Sequence, residues 1–279
     1  MAKLKEKIEL KELISGYCAE KGISKADFAV KAGVSEATLS AIENERWEKV
    51  STAMVTKLHS FIKSETAEGI YETADFAAVM NLCDKARKHR LMIGLTGDTG
   101  TGKTTSLTAC ARNRNTYRIT FEKSMNPKQF FASLLKEMGV DFAGNINAMI
   151  GKAADELNSK SAPLLIIDEA GKITHPVLLY LHDLREKTKG NCGMVLSGMP
   201  YFRENLKKGA LKGKEGYSEF LRRVNLWHTL SGLSAGEVRY IAGMHGITDP
   251  ERLRELSRGK RFGDLMNEIY LEKILNNQL

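Results

Sequence analysis

The chain has 279 residues, which is enough for two or three domains, and 42% of them are hydrophobic, which is enough for a packed core. Its apolar runs are too short to span a bilayer, charged residues interrupt the first ten positions where a signal peptide would begin, and its four cysteines form no C-x-x-C pair. We therefore expect a cytoplasmic protein with reduced thiols and no membrane partner. Its net charge of +8 favours an anionic macromolecule, such as nucleic acid, as the binding partner.

Residues 1–62 carry the pattern of an all-α helix-turn-helix domain. Ala29 precedes Gly33 by four residues, and Leu39 and Ile42 follow that glycine by six and nine. The small residue lets two helices approach closely, the glycine takes the left-handed turn between them, and the two apolar side chains pack the second helix down. Ser35 is a natural N-cap for that second helix. Residues 8–62 resemble the Cro/repressor helix-turn-helix family.

The second helix of this domain would expose a set of short side chains to DNA. These are Glu36, Ala37, Thr38 and Ser40. However, residues 1–62 contain ten Lys/Arg and nine Asp/Glu, so the domain is nearly neutral and would be a weak phosphate binder alone. Contact with DNA and docking to a protein both remain open for it.

Residues 63–75 are acidic and weakly apolar, and we interpret them as a linker. A helix from about Phe76 to Lys88 then leads into the main domain, residues 76–230.

A complete G-x-x-x-x-G-K-[ST] phosphate loop follows at residues 97–104, between an apolar run at 91–96 and a helix-forming run at 105–111. This strand–loop–helix context is what the motif requires, because the backbone N–H groups of the loop and the helix N-terminus together bind phosphate oxygens. Lys103 would reach the β- and γ-phosphates and Thr104 would ligate magnesium. The predicted nucleotide-binding residues are Gly97, Asp98, Thr99, Gly100, Thr101, Gly102, Lys103, Thr104 and Thr105.

A second motif, Asp168-Glu169, follows the apolar run at residues 163–167. Such a run suits a central parallel strand, at whose end Asp168 would hold Mg²⁺ and Glu169 would act as general base towards the attacking water. A core strand that ends in a solvated acidic turn is the alternative, and the phosphate loop upstream favours the catalytic interpretation. We expect nucleotide hydrolysis, and the guanine-reading N-K-x-D element is absent. That the nucleotide is ATP is an inference from the family resemblance given below.

The remaining elements alternate. Strands are expected at 117–121 and 193–198, and helices at 127–138, 148–158 and 177–187. Residues 231–279 lose the strand signals and should form a small helical lid. The fold class is therefore α/β, a parallel sheet flanked by helices with a helical lid and an N-terminal all-α domain.

Four further positions are candidates for sensing the nucleotide. Ser197 could sense the γ-phosphate, or it could belong to an ordinary Ser-Gly turn. Arg223 suits an arginine finger, which reaches the ATP of a neighbouring subunit, and Arg222 is the second choice. A solvated helix end or a phosphate contact to DNA is the alternative for this pair. Arg261 suits a sensor from the lid, and a plain basic start of a helix would have the same sequence.

Basic residues outnumber acidic ones by ten to five between positions 176 and 223. Lysine suits sequence-independent binding because it acts as a point charge on phosphate. Lysines on a solvated loop are the ordinary alternative. The candidates for DNA phosphate contacts are Lys123, Lys187, Lys189, Lys207 and Lys208.

Taken in order, these features resemble the MuB-like AAA+ ATPases, the target-DNA activators of phage Mu and related transposition regulators. The resemblance also rests on Asp168-Glu169-Ala170, Ser197-Gly198-Met199-Pro200 and Leu233-Ser234-Ala235-Gly236-Glu237, and it covers nearly the whole chain. It implies a bacterial or phage-encoded protein of the host cytoplasm that uses ATP and Mg²⁺. It also implies a helical self-assembly on double-stranded DNA of any sequence, and a DDE-type transposase that stimulates hydrolysis. Arg223 fits the inter-subunit finger of this family, whereas Ser197 replaces an Asn that many relatives of the wider class carry.

Two other functions stay open. A helicase loader or replication initiator of the same ATPase class would share the nucleotide site and would act on a hexameric helicase. A transcription regulator would use the helix-turn-helix as DNA reader and the ATPase as switch, and the near-neutral charge of residues 1–62 argues against it.

Overall fold

The computed structural model describes residues 2–32, 34–51, 54–55, 58 and 70–275. The chain divides into two compact units, Met1–Tyr71 and Glu72–Leu279. Each unit has its own hydrophobic core. Within the described ranges, no helix combines the length and the apolar character that crossing a bilayer requires.

The first unit is helical. Helix α1 spans Ala2–Lys21, α2 spans Lys25–Ala32 and α3 spans Glu36–Glu43. The Ser35 side chain accepts a hydrogen bond from the N–H of Thr38 and so caps α3, as the sequence predicts. Leu39 and Ile42 are buried in the core of this unit, and Gly33 lies outside the described residues. The helix-turn-helix assignment therefore stays a prediction.

A five-stranded parallel sheet forms the centre of the second unit. Its spatial order is β2-β3-β4-β1-β5, so β4 lies between the strand before the phosphate loop and the strand that ends in Asp168. Trp227 of the edge strand packs so closely on Gly94 that a side chain at this position would collide with its ring. The strands are β1, Met92–Thr96; β2, Thr116–Thr120; β3, Leu164–Asp168; β4, Gly193–Gly198; and β5, Leu226–Thr229.

Helices cover both faces of the sheet, and therefore the central strands are continuous apolar runs. On one face lie α4, Ala74–His89, and α5, Lys103–Ala111. On the other face lie α6, Pro127–Glu137; α7, Ile146–Ser159; α8, His175–Thr188; α9, Tyr201–Leu211; and α10, Tyr217–Arg223.

The region that follows the sheet is helical, as predicted. Its helices are α11, Ala235–Met244; α12, Pro250–Leu256; and α13, Phe262–Leu275. Hydrogen bonds to two carboxylates connect the beginning of this helical region with the first turn of α4. Asp75 accepts hydrogen bonds from the backbone N–H groups of Ser231 (3.1 Å) and Gly232 (2.7 Å), and Glu237 accepts one from that of Ala74 (2.6 Å). The connection between sheet and lid is therefore held by the first turn of α4.

The element boundaries differ from the predictions in a few places. Helix α4 begins at Ala74, two residues earlier than expected, because the Thr73 side chain accepts from the N–H of Phe76 and caps it. Strand β5 and the helices α9 and α10 were not predicted. Of the predicted linker, residues 63–69 lie outside the described residues.

Candidate nucleotide-binding site

The phosphate loop joins the end of β1 to the start of α5. Gly100 (φ +77°) and Gly102 (φ +88°) both adopt the left-handed conformation that favours glycine. Gly102 is also the N-cap of α5, so the loop runs directly into the positive end of a helix. The Thr101 hydroxyl donates to the carbonyl of Asp98 (2.8 Å) and closes the turn. Thr105 lies exposed in the first turn of α5.

The Lys103 ammonium lies inside this loop. It donates to the carbonyl oxygens of Gly97 and Asp98, each at 2.7 Å, and the residue is only 8% exposed. Burial lowers the pKa of Lys103, while the nearby carboxylates of Asp168 and Glu169 act in the opposite direction. A phosphate group in the loop would give this cation the anionic partner that its carbonyl contacts lack.

Asp168 ends β3 and is almost fully buried. Its Oδ2 accepts hydrogen bonds from the Thr104 hydroxyl (2.9 Å) and from Nη2 of Arg118 (2.9 Å), and its Oδ1 accepts the N–H of Glu169 (3.0 Å). The structure thus brings together the two residues predicted to hold magnesium. Arg118 was not predicted, because it lies inside β2 and only the pairing of β2 with β3 reveals its neighbour.

Glu169 has a backbone φ of +56°, in the left-handed region that residues other than glycine rarely adopt. Strain of this kind concentrates at functional sites. The residue also begins the short 3-10 turn Ala170–Lys172, and its carboxylate forms an ion pair with Lys172 (3.2 Å). The predicted general base is therefore partly exposed and has a cationic neighbour of its own.

Ser197 lies in β4, between the two strands that carry the motifs. Its hydroxyl is fully buried and has no hydrogen-bond partner in the described part of the chain. A buried hydroxyl without a partner is unusual and suits a group that bonds a ligand. Just beyond this strand, Met199 Sδ accepts a weak hydrogen bond from the Thr99 hydroxyl of the phosphate loop (3.5 Å).

The lid touches the phosphate loop. The N–H of Gly263, at the start of α13, donates to the carbonyl of Gly100 (2.9 Å). A Cβ atom placed on Gly100 would lie 3.7 Å from that of Arg261. Arg261 is exposed and forms an ion pair with Asp264 (3.4 Å). The backbone of the predicted lid sensor is therefore beside the loop.

The two candidate finger residues differ in their surroundings. Nε of Arg223 donates to Nε2 of His182 (2.8 Å), and its guanidinium forms an ion pair with Glu186, so that it is engaged with α8 of its own chain. Arg222 is exposed, and it forms no hydrogen bond or ion pair with the described residues. Of the two, Arg222 is the one available to a neighbour.

The five candidate lysines lie near both ends of the parallel strands. Lys123 follows the carboxyl end of β2, whereas Lys187 and Lys189 precede the amino end of β4, at the opposite edge of the sheet. Lys207 forms an ion pair with Glu204 (3.1 Å), and Lys208 is exposed and lines a cleft beside the 3-10 turn that follows Glu169.

The described ranges contain no group of three or more His, Cys, Asp or Glu side chains arranged to hold a metal ion. The hydroxyl of Thr104 and the carboxylate of Asp168 fit Mg²⁺, which prefers few protein ligands and completes its shell with substrate phosphates and water. The donor set therefore suits a metal that arrives with a nucleotide.

Comparison with known proteins agrees with this geometry. The model of the AAA domain family matches residues 86–206, which include the phosphate loop and β3. The chain is 22% identical over 249 residues to the Mu-like prophage FluMu DNA transposition protein B of Haemophilus influenzae, covering 85% of the chain and 86% of that protein. The chain thus resembles the MuB-like AAA+ ATPases over most of its length.

Two solved structures share the fold of this chain. The ORC1 protein of Aeropyrum pernix, in complex with DNA, superposes with a TM-score of 0.52 at 15% identity over 74% of the chain. NtrX from Brucella abortus, in complex with ATP, superposes with a TM-score of 0.51 at 14% identity over 90% of the chain. The chain spans 60% and 64% of their lengths, and these likenesses concern the fold alone. The predicted fold class and the AAA+ assignment are confirmed, whereas the roles of the site residues stay predictions.

Proposed function

We propose that this protein is an ATP-dependent DNA-binding ATPase that assembles on target duplex DNA of any sequence and delivers it to a DDE-type transposase. The observation that carries the proposal is the extent of the similarity to transposition protein B. The similarity covers 85% of the chain, and the remaining residues are fewer than those of the first unit, Met1–Tyr71. The similarity therefore extends into both units. A likeness confined to the nucleotide motifs would fit many AAA+ ATPases equally well.

In the proposed reaction, the loop N–H groups and Lys103 bind the β- and γ-phosphates of ATP. Thr104 and Asp168 would hold a Mg²⁺ ion, and the chemistry that this ion would supply is neutralisation of phosphate charge. Glu169 orients and deprotonates the attacking water, after its carboxylate turns away from Lys172. The buried Ser197 hydroxyl donates to the γ-phosphate or to that water.

Self-assembly follows if a neighbouring subunit contributes a side chain to each nucleotide-binding site. An arginine finger from the next subunit, Arg222 or Arg223, would neutralise the γ-phosphate and join the two subunits. Hydrolysis removes the γ-phosphate and loosens the junction. ATP would then act both as substrate and as the ligand that holds the assembly together.

Charge supports DNA contact by the second unit. Residues 1–71 contain eleven Lys/Arg and eleven Asp/Glu, so the net charge of +8 resides entirely in residues 72–279. Affinity that depends on lysine and phosphate is independent of sequence and falls steeply with salt. The structural neighbour ORC1 was solved in complex with DNA, which agrees with this role.

Electron microscopy of the negatively stained protein with random duplex DNA tests the proposal. We expect filaments with ATP on any sequence and none with ADP. Complexes at one discrete site would favour a transcription regulator, and assembly that does not depend on DNA would contradict the proposal.

Two variants connect this assembly to the nucleotide site. Lys103→Ala should abolish nucleotide binding and filaments, because the phosphates lose their buried cation. Glu169→Gln should bind ATP, turn it over at least about a hundredfold more slowly, and stay on DNA. The control is Lys128→Ala, which removes an exposed cation from α6 and should behave as wild type. Filaments of Lys103→Ala, or rapid turnover by Glu169→Gln, would contradict these roles.

A further inference from the structure

Arg118 reaches the proposed magnesium site from the neighbouring strand. In the pairing of β2 with β3, Thr120 lies opposite Asp168 and Arg118 lies opposite Ile166. Alternate residues of a strand share a face, so Arg118 and Asp168 point to the same side of the sheet. The long arginine side chain spans the two-residue offset, and its Nη2 lies 2.9 Å from Oδ2 of Asp168.

The Asp168 carboxylate is buried, and among the described residues its ion-pair partner is Arg118. A buried carboxylate is strongly disfavoured unless a cation and hydrogen-bond donors compensate it. Thr104 and the N–H of Glu169 supply two donors, and Arg118 supplies the third donor together with the positive charge.

The guanidinium of Arg118 is otherwise weakly held. Its Nε is buried and has no hydrogen-bond partner in the described residues, and its side chain is 20% exposed. Arg185, by contrast, is fixed by the carbonyls of Cys192 and Arg90. Arg118 therefore has little to keep it in place except the charge of Asp168.

We propose that Arg118 is a positioning residue that neutralises Asp168 in the metal-free protein and leaves it when the nucleotide and its magnesium bind. The inference rests on the proposed function, since it takes Thr104 and Asp168 as the magnesium ligands. Arg118 donates to the same Asp168 oxygen as Thr104. A Mg²⁺ ion held by Asp168 would be a second cation at this carboxylate, and like charges repel each other. Arg118 thus keeps the site folded when empty and raises the magnesium concentration that nucleotide binding requires.

The test is a magnesium titration of the binding of a fluorescent ADP analogue, with full-length wild type and Arg118→Met. Methionine approximates the unbranched aliphatic part of the arginine side chain and lacks its charge. The magnesium midpoint is the concentration at which nucleotide binding is half-maximal. We expect it to fall by about fivefold or more in the variant, because Arg118 no longer competes with magnesium for Asp168. An unchanged or higher midpoint would overturn the proposal.

Thermal unfolding supplies a second readout. In EDTA the variant should melt several degrees below wild type, because Asp168 loses its ion pair, and with saturating Mg·ADP the two should converge. A deficit of the same size in both conditions would mean a merely structural role and would also overturn the proposal. Lys128→Met, which removes an exposed charge from α6, should match wild type in both measurements.

Arg118→Lys keeps the inference testable if Arg118→Met does not fold. Lysine retains the charge with a weaker and shorter contact, so its magnesium midpoint should lie between those of wild type and the methionine variant, or about twofold below wild type. A midpoint at or above that of wild type would count against the proposal. If wild type binds no nucleotide at any magnesium concentration, the proposed function itself fails.

Discussion

Ser197 presents a fully buried hydroxyl group that bonds to nothing in the described part of the chain. A donor of this kind is satisfied only when a ligand accepts from it, so we expect Ser197→Ala to act on hydrolysis and not on folding. The melting temperature without nucleotide should stay unchanged. The turnover of ATP should fall by about tenfold, as for the loss of one hydrogen bond to a charged group.

The matched control for that measurement is Thr188→Val. The Thr188 hydroxyl is equally buried, but it donates to the carbonyl of Leu184 (2.9 Å) in the last turn of α8. Its removal should cost about 1 kcal/mol of stability and leave turnover unchanged. A Ser197→Ala protein that melts lower than wild type and hydrolyses ATP normally would assign Ser197 to the core alone.

At the scale of single residues, the sequence supports a prediction where a motif fixes chemistry and spacing together. The phosphate loop and Asp168 could be found from the sequence because each type of residue is required at its position. Arg118 could not be found, since an arginine within a strand has no local signature. Its role depends on strand register, which the sequence of one strand does not contain.

At the scale of elements, the central strands were predictable and the edge strand was not. Strands β3 and β4 are buried on both faces, so each is a continuous apolar run. Strand β5 has four residues with exposed or half-buried side chains, and it shows neither such a run nor a clear alternation. The need for glycine at position 94 arises from the Trp227 ring of β5 that packs on it, and this contact has no signal in the sequence of either strand alone.

The junction of α4 with the lid depends on one carboxylate. Glu237 accepts the N–H of Ala74 with one oxygen and the N–H and hydroxyl of Ser234 with the other. Burial raises the pKa of Glu237, but these hydrogen bonds outweigh it and hold the pKa below the ordinary value. Because the folded pKa is depressed, this stabilisation is present above the unfolded pKa and is lost as the pH falls through the folded pKa.

Glu237→Gln should therefore destabilise the protein in a pH-dependent manner. Glutamine offers one acceptor oxygen where the carboxylate offers two, so the melting temperature should drop at neutral pH. The difference from wild type should shrink as the pH falls below the ordinary value of 4.5. Differential scanning fluorimetry between pH 3 and 7 measures it, with exposed Glu137→Gln of α6 as control. A difference that is constant across this range would mean that the charge of Glu237 is not involved.

At the scale of the whole molecule, the contacts of Arg222 and Arg223 bear on how subunits would join. The Arg223 guanidinium is engaged with His182 and Glu186 of α8, and we expect Arg223→Ala to lower the melting temperature. Arg222 is exposed and has no partner in the described residues, and we expect Arg222→Ala to leave the monomer intact. Turnover of ATP that depends on contact between subunits increases with protein concentration. This component should fall at least about tenfold in Arg222→Ala, since an arginine finger contributes strongly to phosphoryl transfer.

Mixing two inactive proteins separates a finger in trans from a residue that serves its own subunit. Lys103→Ala subunits lack a nucleotide site but carry Arg222, and Arg222→Ala subunits retain the site but offer no finger. In a mixed assembly, the arginine of the first completes the ATP of the second, so a one-to-one mixture should regain part of the wild-type turnover that neither protein shows alone. If the mixture stays inactive, and Arg223→Ala with Lys103→Ala regains turnover instead, Arg223 must release His182 and Glu186 to become the finger.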